Sequence, residues 1–268
     1  MSFVVLLPVK PPARGKSRLV GVSDATRAAL ASAFALDTAA ACLASEAVAA
    51  VLAVTDDDAF AASLMALGCA AIPDGVTGDL NGSLTLGALE AVRRWPGSQP
   101  VALCGDLPAL RAADLDAALA LVAETDGPCF VADEAGTGTT LYTAPAELFA
   151  PRYGAGSAAL HAEASKSLDG DLVSLRHDVD TLEDLRSAVR IGLGPRTTLA
   201  AAHAGLIGER RRRFNDEAGR PMRDDPPGAR QVRSRSTVRP AAPGSGPEPG
   251  SASAQQPASG PEPTAGPG

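Results

Sequence analysis

The chain has 268 residues, of which 45% are hydrophobic, and a formal net charge of −7 at pH 7. Residues 201–268 carry ten Arg and seven Asp or Glu, a net of +3, which leaves −10 for residues 1–200. An acidic domain is poorly suited to general nucleic-acid binding, and no apolar run is long enough to span a bilayer. We therefore predict a protein that binds neither nucleic acid nor membrane.

The composition changes near residue 200. Beyond it come a basic run, Arg210 to Arg213, and then Pro, Gly, Ser and Ala with almost no large apolar residues. Such a segment cannot bury enough surface to offset the entropy lost on ordering. We predict one folded domain at residues 1–199 and a disordered tail at residues 200–268.

The four cysteines are far apart and show no C-x-x-C spacing, so they indicate neither a zinc site nor a disulfide scaffold. The amino terminus lacks the charged region and the small-residue cleavage site of a signal peptide. These features predict a reduced protein of the cytoplasm.

Apolar runs alternate with helical patterns along residues 1–190. Strands are predicted at residues 3–7, 47–54, 69–72, 100–104, 128–132 and 172–175. Helices are predicted at residues 24–43, 59–67, 84–95, 112–123 and 182–190, with a further one beginning near residue 158. Short connections between them predict an α/β fold with a mostly parallel sheet, covered by helices on both faces.

The loop after the first predicted strand is basic. Pro8, Pro11 and Pro12 prevent further pairing, so the chain leaves the sheet at the carboxyl end of the strand. Four cations follow at Lys10, Arg14, Lys16 and Arg18. Ligands of open α/β sheets bind at this edge, and ammonium and guanidinium groups bind phosphate oxygens. The loop therefore either binds a polyphosphate or is simply solvated.

Acidic residues lie at other strand ends. Asp106 follows the fourth predicted strand, and Asp178 and Asp180 follow the last one. Carboxylates placed there can hold Mg²⁺ on a phosphate, although Asp180 or Thr181 could instead cap the next helix. Asp56 to Asp58 are expected to cap a helix, and no role is predicted for Asp133 or Glu134.

Three turns are rich in small hydrogen-bond donors. Asn81 lies in a Gly-bearing loop and either presents its amide to a nucleotide or caps the helix that follows. Residues 136–140 alternate Gly and Thr, and Gly154 to Ser157 precede a helix. The last two turns favour an anionic group, whereas His161 is expected to pack or cap.

Five motifs in register carry a resemblance to a known family. They are Pro8-Val9-Lys10-Pro11 with Gly15-Lys16-Ser17-Arg18-Leu19, Gly105-Asp106-Leu107-Pro108, Gly136-Thr137-Gly138-Thr139-Thr140, Gly154-Ala155-Gly156-Ser157 and Asp178-Val179-Asp180-Thr181. Together they resemble the guanylyltransferases of coenzyme F420 biosynthesis, whose acceptor is phosphoenolpyruvate or 2-phospho-L-lactate. The resemblance covers residues 1–198 and implies a single glycosyltransferase-A-like nucleotidyltransferase domain.

The resemblance implies transfer of GMP from GTP to the acceptor phosphate, with release of pyrophosphate and delivery of the product to the next transferase of the pathway. It assigns GTP contacts to Lys10, Lys16, Arg18 and Asn81. It assigns Mg²⁺ to Asp106 with Asp178 or Asp180, and acceptor contacts to Thr139, Gly154 and Ser157. The amino-acid composition resembles that of actinobacterial proteins, which favours phosphoenolpyruvate as the acceptor. The alternatives are phospholactate, a molybdopterin or sugar-phosphate acceptor, and a noncatalytic nucleotide-binding protein.

Overall fold

The fold is taken from a computed structural model that describes residues 1–16, 18–76 and 78–208, except the side chain of Arg14. The basic run at Arg210 to Arg213 and the Pro-, Gly- and Ser-rich segment after it lie outside the described residues. The prediction that they form a disordered tail therefore stays a prediction.

The described part of the chain contains one seven-stranded sheet, in the order β3-β2-β1-β4-β6-β5-β7. Its strands are β1 (Ser2–Pro8), β2 (Val48–Val54), β3 (Ala70–Ile72), β4 (Ser98–Leu103), β5 (Cys129–Ala132), β6 (Thr139–Thr143) and β7 (Lys166–Ser167). β1 pairs in parallel with both β2 and β4, and β2 pairs in parallel with β3. The predicted mostly parallel sheet is confirmed.

β6 runs against this direction, antiparallel to both β4 and β5. Only residues 133–138 separate β5 from β6. A parallel connection needs a crossover of a dozen or more residues, so a link this short forces an antiparallel pair. The reversal brings the amino end of β6 beside the carboxyl end of β4, where Leu141 pairs with Leu103.

Helices cover the sheet on both faces. They are α1 (Asp24–Leu43), α2 (Asp58–Ala66), α3 (Leu80–Arg94), α4 (Ala112–Ala123), α5 (Ser157–Ala162), α6 (Val173–Arg176), α7 (Leu182–Ile191) and α8 (Pro195–His203). Short 3₁₀ turns lie at Pro12–Arg14 and Ala146–Leu148. None of the helices in the described ranges is both long and apolar enough to cross a membrane.

β1 lies at the centre because both of its faces are apolar. Phe3, Val5 and Leu7 pack into a core that includes α1, α2 and α4, while Val4 and Leu6 pack into a second core under α3. All five side chains are buried. Alternate residues of a strand point to opposite faces, so a continuous apolar run is what a doubly covered strand requires.

The strand predicted at residues 172–175 is wrong, because the structure has the short helix α6 there. Leu172 and Leu175 are buried, whereas Val173 between them is half exposed. This i, i+3 spacing is helical, but a run of four residues is too short for its periodicity to decide between helix and strand.

Helix α3 begins four residues before the predicted start. Its amino-terminal cap is Asp79, whose carboxylate accepts the Gly82 N–H at 3.0 Å, so the predicted alternative of a cap by Asn81 is wrong. Gly82 indicates a loop in the sequence, but a Cβ there would lie 2.6 Å from Asp79 Oδ2. Gly82 therefore leaves room for the capping side chain.

The sequence patterns did not predict helix α8, and the predicted domain boundary after residue 199 falls inside it. Pro195 follows Gly194 at its start, an arrangement typical of helix N-termini. The buried Asp37 of α1 accepts the N–H groups of Arg196 at 3.2 Å and Thr197 at 2.7 Å. This carboxylate fastens α8 to α1, so the folded part extends beyond residue 199.

Candidate active site

The loops after β1 and β4 meet at the carboxyl edge of the sheet, because these two strands are parallel neighbours. Gly105 follows β4, and a Cβ there would lie 3.3 Å from the Pro8 carbonyl oxygen at the end of β1. The small residue allows the two strand ends to stay close. Asp106 is thereby held beside the basic loop, which we define as residues 10–18.

The predicted carboxylates come together. One ligand oxygen from each of Asp106, Asp178 and Asp180 lies within 4.8 Å of the others, and these three residues are named the carboxylate cluster. The Val179 N–H donates to the Asp106 carbonyl at 3.0 Å, and the Val179 side chain is buried. This anchor holds the segment that carries Asp178 and Asp180 beside Asp106, where their carboxylates converge.

The electrostatics of the carboxylate cluster favour a bound cation. Burial and the neighbouring charges of Asp106 and Asp180 raise the pKa of Asp178 to about 7. Among the described residues, the buried Oδ1 of Asp106 has no hydrogen-bond partner. Hard divalent cations prefer oxygen ligands, so three converging carboxylates with one unsatisfied oxygen fit such an ion.

Lys16 and Arg18 of the basic loop contact the same cluster. The Lys16 ammonium forms ion pairs with Asp106 and, at 2.8 Å, with Asp180, and Arg18 Nη1 lies 2.9 Å from the other Asp180 oxygen. Burial alone would lower the pKa of Lys16, but the charges and hydrogen bonds of the two carboxylates hold it above its usual value. The structure therefore brings the basic loop into contact with the predicted carboxylates.

The backbone of Lys16 is itself unusual. Its φ is +54°, and among the described residues no other non-glycine has a positive φ. This left-handed conformation is costly for a side chain with a Cβ and is found mainly where surrounding contacts enforce it. The two ion pairs of Lys16 supply such contacts.

Two other residues of the basic loop have simpler positions. The side chain of Lys10 is exposed at the start of the loop. A Cβ on Gly15 would lie 3.3 Å from the Cβ of Ala31 on α1, so Gly15 allows the loop to pack against that helix. The structure therefore gives Gly15 a packing role.

The two predicted donor-rich turns also meet. The Ala158 N–H donates to the Thr137 carbonyl at 3.2 Å, which joins the turn before β6 to the segment of residues 152–157, named the Gly154 loop. Thr139 begins β6, and its carbonyl oxygen accepts a hydrogen bond from the Cys104 thiol at 3.3 Å. Cys104 precedes Asp106 by two residues. The Thr139 end of β6 therefore lies close to the carboxylate cluster.

Around Thr139 and the Gly154 loop, the polar side chains form hydrogen bonds mainly with neighbouring protein groups. The Thr139 hydroxyl is buried and lies 2.9 Å from His161 Nδ1. His161 Nε2 accepts the Arg152 N–H at 2.9 Å, so Nδ1 must carry the proton and donate to Thr139. Burial and the charge of Arg152 lower the pKa of His161 to about 4. The expectation that His161 packs and does not act as a base agrees with these contacts.

Gly154 and Ser157 flank the opening of α5. Gly154 is exposed with φ +142°, and its carbonyl accepts the Ser157 N–H at 3.2 Å. Ser157 is buried at the first position of the helix. Both residues lie where the sequence predicts an anion-binding turn.

Asn81 lies in the first turn of α3, and its amide bonds the backbone of Tyr153. Tyr153 was missed by the sequence patterns, as was its link to α3. The two residues are 72 positions apart, and an Asn and a Tyr so far apart in the chain give no pattern that would reveal the contact. The predicted contact between Asn81 and guanosine stays a prediction.

Several acidic residues outside the carboxylate cluster have structural roles. Asp57 caps α2 by accepting the Phe60 N–H at 3.0 Å, as predicted for this acidic run. Asp133 accepts the N–H groups of Thr137 at 2.9 Å and Gly138 at 2.8 Å, and so builds the β5–β6 turn. Thr181, not Asp180, caps α7 through a capping box, which leaves Asp180 free to face Lys16.

Comparison with known proteins identifies the family. The phosphoenolpyruvate guanylyltransferase of Thermomonospora curvata is 46% identical over 206 residues, which span 75% of this chain and 90% of that protein. The enzyme of the same name from Streptomyces coelicolor is 47% identical over 214 residues, spanning 78% of this chain and 100% of that protein. The chain belongs to the phosphoenolpyruvate guanylyltransferase family. It is therefore an enzyme, a nucleotidyltransferase, as the five motifs predict.

Two solved structures of other proteins share the fold of this chain. A nucleotide-diphospho-sugar transferase from Desulfovibrio desulfuricans G20 matches with a TM-score of 0.59 at 19% identity, over 77% of this chain and 97% of that one. A 4-diphosphocytidyl-2C-methyl-D-erythritol synthase matches with a TM-score of 0.50 at 11% identity, over 71% and 99%. No protein-family model matches the sequence. The predicted nucleotidyltransferase fold is confirmed.

Proposed function

We propose that this chain transfers GMP from GTP to phosphoenolpyruvate, giving enolpyruvoyl-2-diphospho-5′-guanosine and pyrophosphate, in coenzyme F420 biosynthesis. The observation that carries the proposal is the meeting of Lys16, Arg18 and the carboxylate cluster at one sheet edge. The names of relatives at 46% and 47% identity support this choice of reaction. Thr139 and the Gly154 loop, which lie near the carboxylate cluster, form the proposed site for the second substrate.

In the proposed reaction, an oxygen of the acceptor phosphate attacks the α-phosphorus of GTP. A new bond forms between this oxygen and the α-phosphorus. The bond from the α-phosphorus to the oxygen shared with the β-phosphate breaks, and its electrons leave with pyrophosphate. A phosphate monoester is mostly dianionic at pH 7, since its second pKa is about 6. No strong base is needed, so catalysis depends on alignment and on neutralising charge.

Lys10, Lys16 and Arg18 are the residues proposed to meet the triphosphate. Arg18 is exposed and Lys10 lies at the open start of the basic loop, so both can reach a ligand above the sheet edge. Lys16 is nearly buried and paired with two carboxylates, which keeps its ammonium protonated beside the reacting phosphates. These cations would stabilise the negative charge of the leaving pyrophosphate.

Mg²⁺ is the cation proposed for the carboxylate cluster, held by Asp106 with Asp178 and Asp180. The unsatisfied Asp106 oxygen and the raised pKa of Asp178 both indicate a site that gains from a positive ion. When bound, the ion would neutralise phosphate charge and help orient the phosphate oxygens. Magnesium is chosen because it is the usual partner of a few carboxylates and a nucleotide triphosphate.

The acceptor is proposed to bind at Thr139, Gly154 and Ser157. Because His161 donates to the Thr139 oxygen, the hydroxyl hydrogen of Thr139 remains for another partner. Gly154 is exposed and has no side chain to obstruct an approaching anion. Hydroxyl and amide donors of this kind suit a carboxylate or phosphate.

We also propose that the enzyme acts in the cytoplasm. The four cysteines, all within the described residues, are free, which agrees with a cytoplasmic enzyme. The product would then pass to the next transferase of the pathway.

The first experiment measures pyrophosphate release by the full chain with GTP and Mg²⁺, comparing phosphoenolpyruvate with 2-phospho-L-lactate. Turnover with phosphoenolpyruvate and little with phospholactate is expected. Turnover with phospholactate alone would keep the GTP and metal sites but overturn the choice of acceptor. Absence of turnover with both acceptors, while a sugar phosphate or a molybdopterin is used, would overturn the proposed function.

A further inference from the structure

The side chain of Asn81 joins two parts of the candidate site. Its Nδ2 donates to the Tyr153 carbonyl at 3.0 Å, and its Oδ1 accepts the Tyr153 N–H at 2.7 Å. The amide thus pairs with one residue's backbone in the way that a neighbouring strand would. Asn81 belongs to the first turn of α3, whereas Tyr153 belongs to the Gly154 loop.

The Gly154 loop depends on such anchors because its glycines restrict the backbone little. Gly154, Ala155 and Gly156 are exposed, and both glycines have a positive φ. Glycine loses more conformational entropy than other residues when it is ordered. The position of this loop must therefore be set by contacts at its ends, not by its own residues.

Several contacts hold the amino-terminal end of the loop, among them an ion pair between Arg152 and Glu163 at 2.7 Å. The Arg152 N–H donates to His161 at 2.9 Å, and the Tyr153 hydroxyl donates to the Ala102 carbonyl of β4 at 2.9 Å. The paired bonds of Asn81 are the contact that reaches the Tyr153 backbone itself, immediately before Gly154. Asn81 therefore holds the backbone on the amino-terminal side of Gly154 in place.

We propose that Asn81 is a positioning residue for the acceptor, acting through Tyr153 to place Gly154 and Ser157. The inference rests on the proposed function, because it takes the Gly154 loop as the acceptor site. It gives Asn81 a role different from the predicted guanosine contact. Both of its amide groups already bond Tyr153, so reading a base would require those bonds to break.

The test compares Asn81→Ala and Asn81→Asp with a control, Thr85→Ala. Thr85 is exposed on the same helix, and its hydroxyl bonds only the Asn81 carbonyl at 2.9 Å among the described residues. Asn81→Ala removes both bonds to Tyr153. Asn81→Asp has the same shape and keeps the acceptor for the Tyr153 N–H, so it stays informative if the alanine variant folds poorly.

The first readout is amide hydrogen exchange of a peptide covering residues 152–157, which needs no turnover. Exchange at Tyr153 is expected to accelerate about tenfold or more in Asn81→Ala, less in Asn81→Asp, and to stay unchanged in Thr85→Ala. Unchanged exchange in Asn81→Ala would overturn the proposal even if the enzyme had another acceptor.

The second readout is steady-state kinetics. In Asn81→Ala the KM for phosphoenolpyruvate is expected to rise about tenfold, with the KM for GTP changing less than about twofold. A larger effect on GTP, or lost discrimination between GTP and ATP, would show that Asn81 reads the base and would overturn the proposal. Faster exchange with both KM values unchanged would also overturn it, because the link would then be only structural. Wild-type inactivity with phosphoenolpyruvate would instead count against the proposed function.

Discussion

The carboxylate cluster and the Gly154 loop lie at the same edge of the sheet, but they present their functional groups in opposite ways. The cluster concentrates charge, with three carboxylates facing Lys16 and Arg18. Around the Gly154 loop, neutral groups are held by hydrogen bonds that join His161 to Thr139 and Arg152, and Asn81 to the Tyr153 backbone. The difference suits the two proposed ligands, since a triphosphate needs charge neutralised and a small acceptor needs exact placement.

The contrast also concerns stability. In the cluster, the mutual repulsion of the carboxylates offsets the ion pairs that Asp106 and Asp180 form with Lys16, and the backbone bond from Val179 to Asp106 helps to maintain the arrangement. The hydrogen bonds of His161 and Asn81, in contrast, are part of what holds the second region together. Substitutions in the cluster should therefore affect turnover without unfolding, whereas substitutions around the loop should affect both.

The largest effect is expected for Asp106→Asn. Loss of one cluster carboxylate should lower turnover about a thousandfold, because charge neutralisation at the phosphates is lost. The melting temperature should change little, since a repulsive contact with Asp178 is removed together with the Lys16 ion pair. Pyrophosphate release and thermal denaturation measure the two quantities. Exposed Asp169→Asn is the matched control, and near-wild-type turnover in Asp106→Asn would argue against a metal at the cluster.

The second prediction concerns pH and the loop region. The folded protein holds His161 neutral with a pKa of about 4, whereas the unfolded chain protonates it near 6.5. Stability should therefore fall as pH falls below about 6.5, and the loss is complete below about 4. Between pH 7 and pH 5 the cost is about 2 kcal/mol.

Urea unfolding at pH 7 and pH 5 tests this in the wild type and in His161→Gln, which cannot titrate. The glutamine variant should be less stable at pH 7 but should lose less stability on acidification. His203→Gln serves as the control because His203 is exposed. An equal pH dependence in wild type and His161→Gln would show that His161 is not the responsible group.

The smallest effect is expected for Ser157→Ala. One donor to the proposed acceptor is removed, so the KM for phosphoenolpyruvate should rise about fivefold to tenfold while the KM for GTP stays nearly constant. Steady-state kinetics with each substrate varied separately gives the split, with Ser63→Ala on the surface of α2 as the control. Equal changes in both KM values would place Ser157 outside the acceptor site.

The charged half of the site could be predicted from the sequence because its residues follow recognisable local patterns. Lys16 and Asp106 each follow a predicted strand, and the parallel pair β1 and β4 brings both carboxyl ends to one edge. Asp180 joins them although the segment predicted as a strand before it is helix α6. Charged side chains after apolar runs are also rarely core residues. Their pattern therefore predicted that these charged side chains lie at this edge, and the structure brings them together. Their roles toward GTP and a metal stay predictions.

The neutral half was only partly accessible. The turns at Thr139 and Gly154 were recognised as donor-rich, but their approach depends on β6 running antiparallel beside β4. His161 was expected to pack, yet its proton position follows from the Arg152 N–H that faces it. Such long-range partners leave no periodicity in a single chain.

The sequence by itself determined the central strand, the charges at its end and the order of the motifs, because these depend on neighbouring residues and on burial. Tertiary structure alone decided that residues 173–176 are helical, that α8 is fastened by Asp37, and that Asn81 bonds Tyr153. Each of these outcomes depends on contacts between residues far apart in the chain. Short segments with weak intrinsic preference take the conformation that those contacts stabilise most.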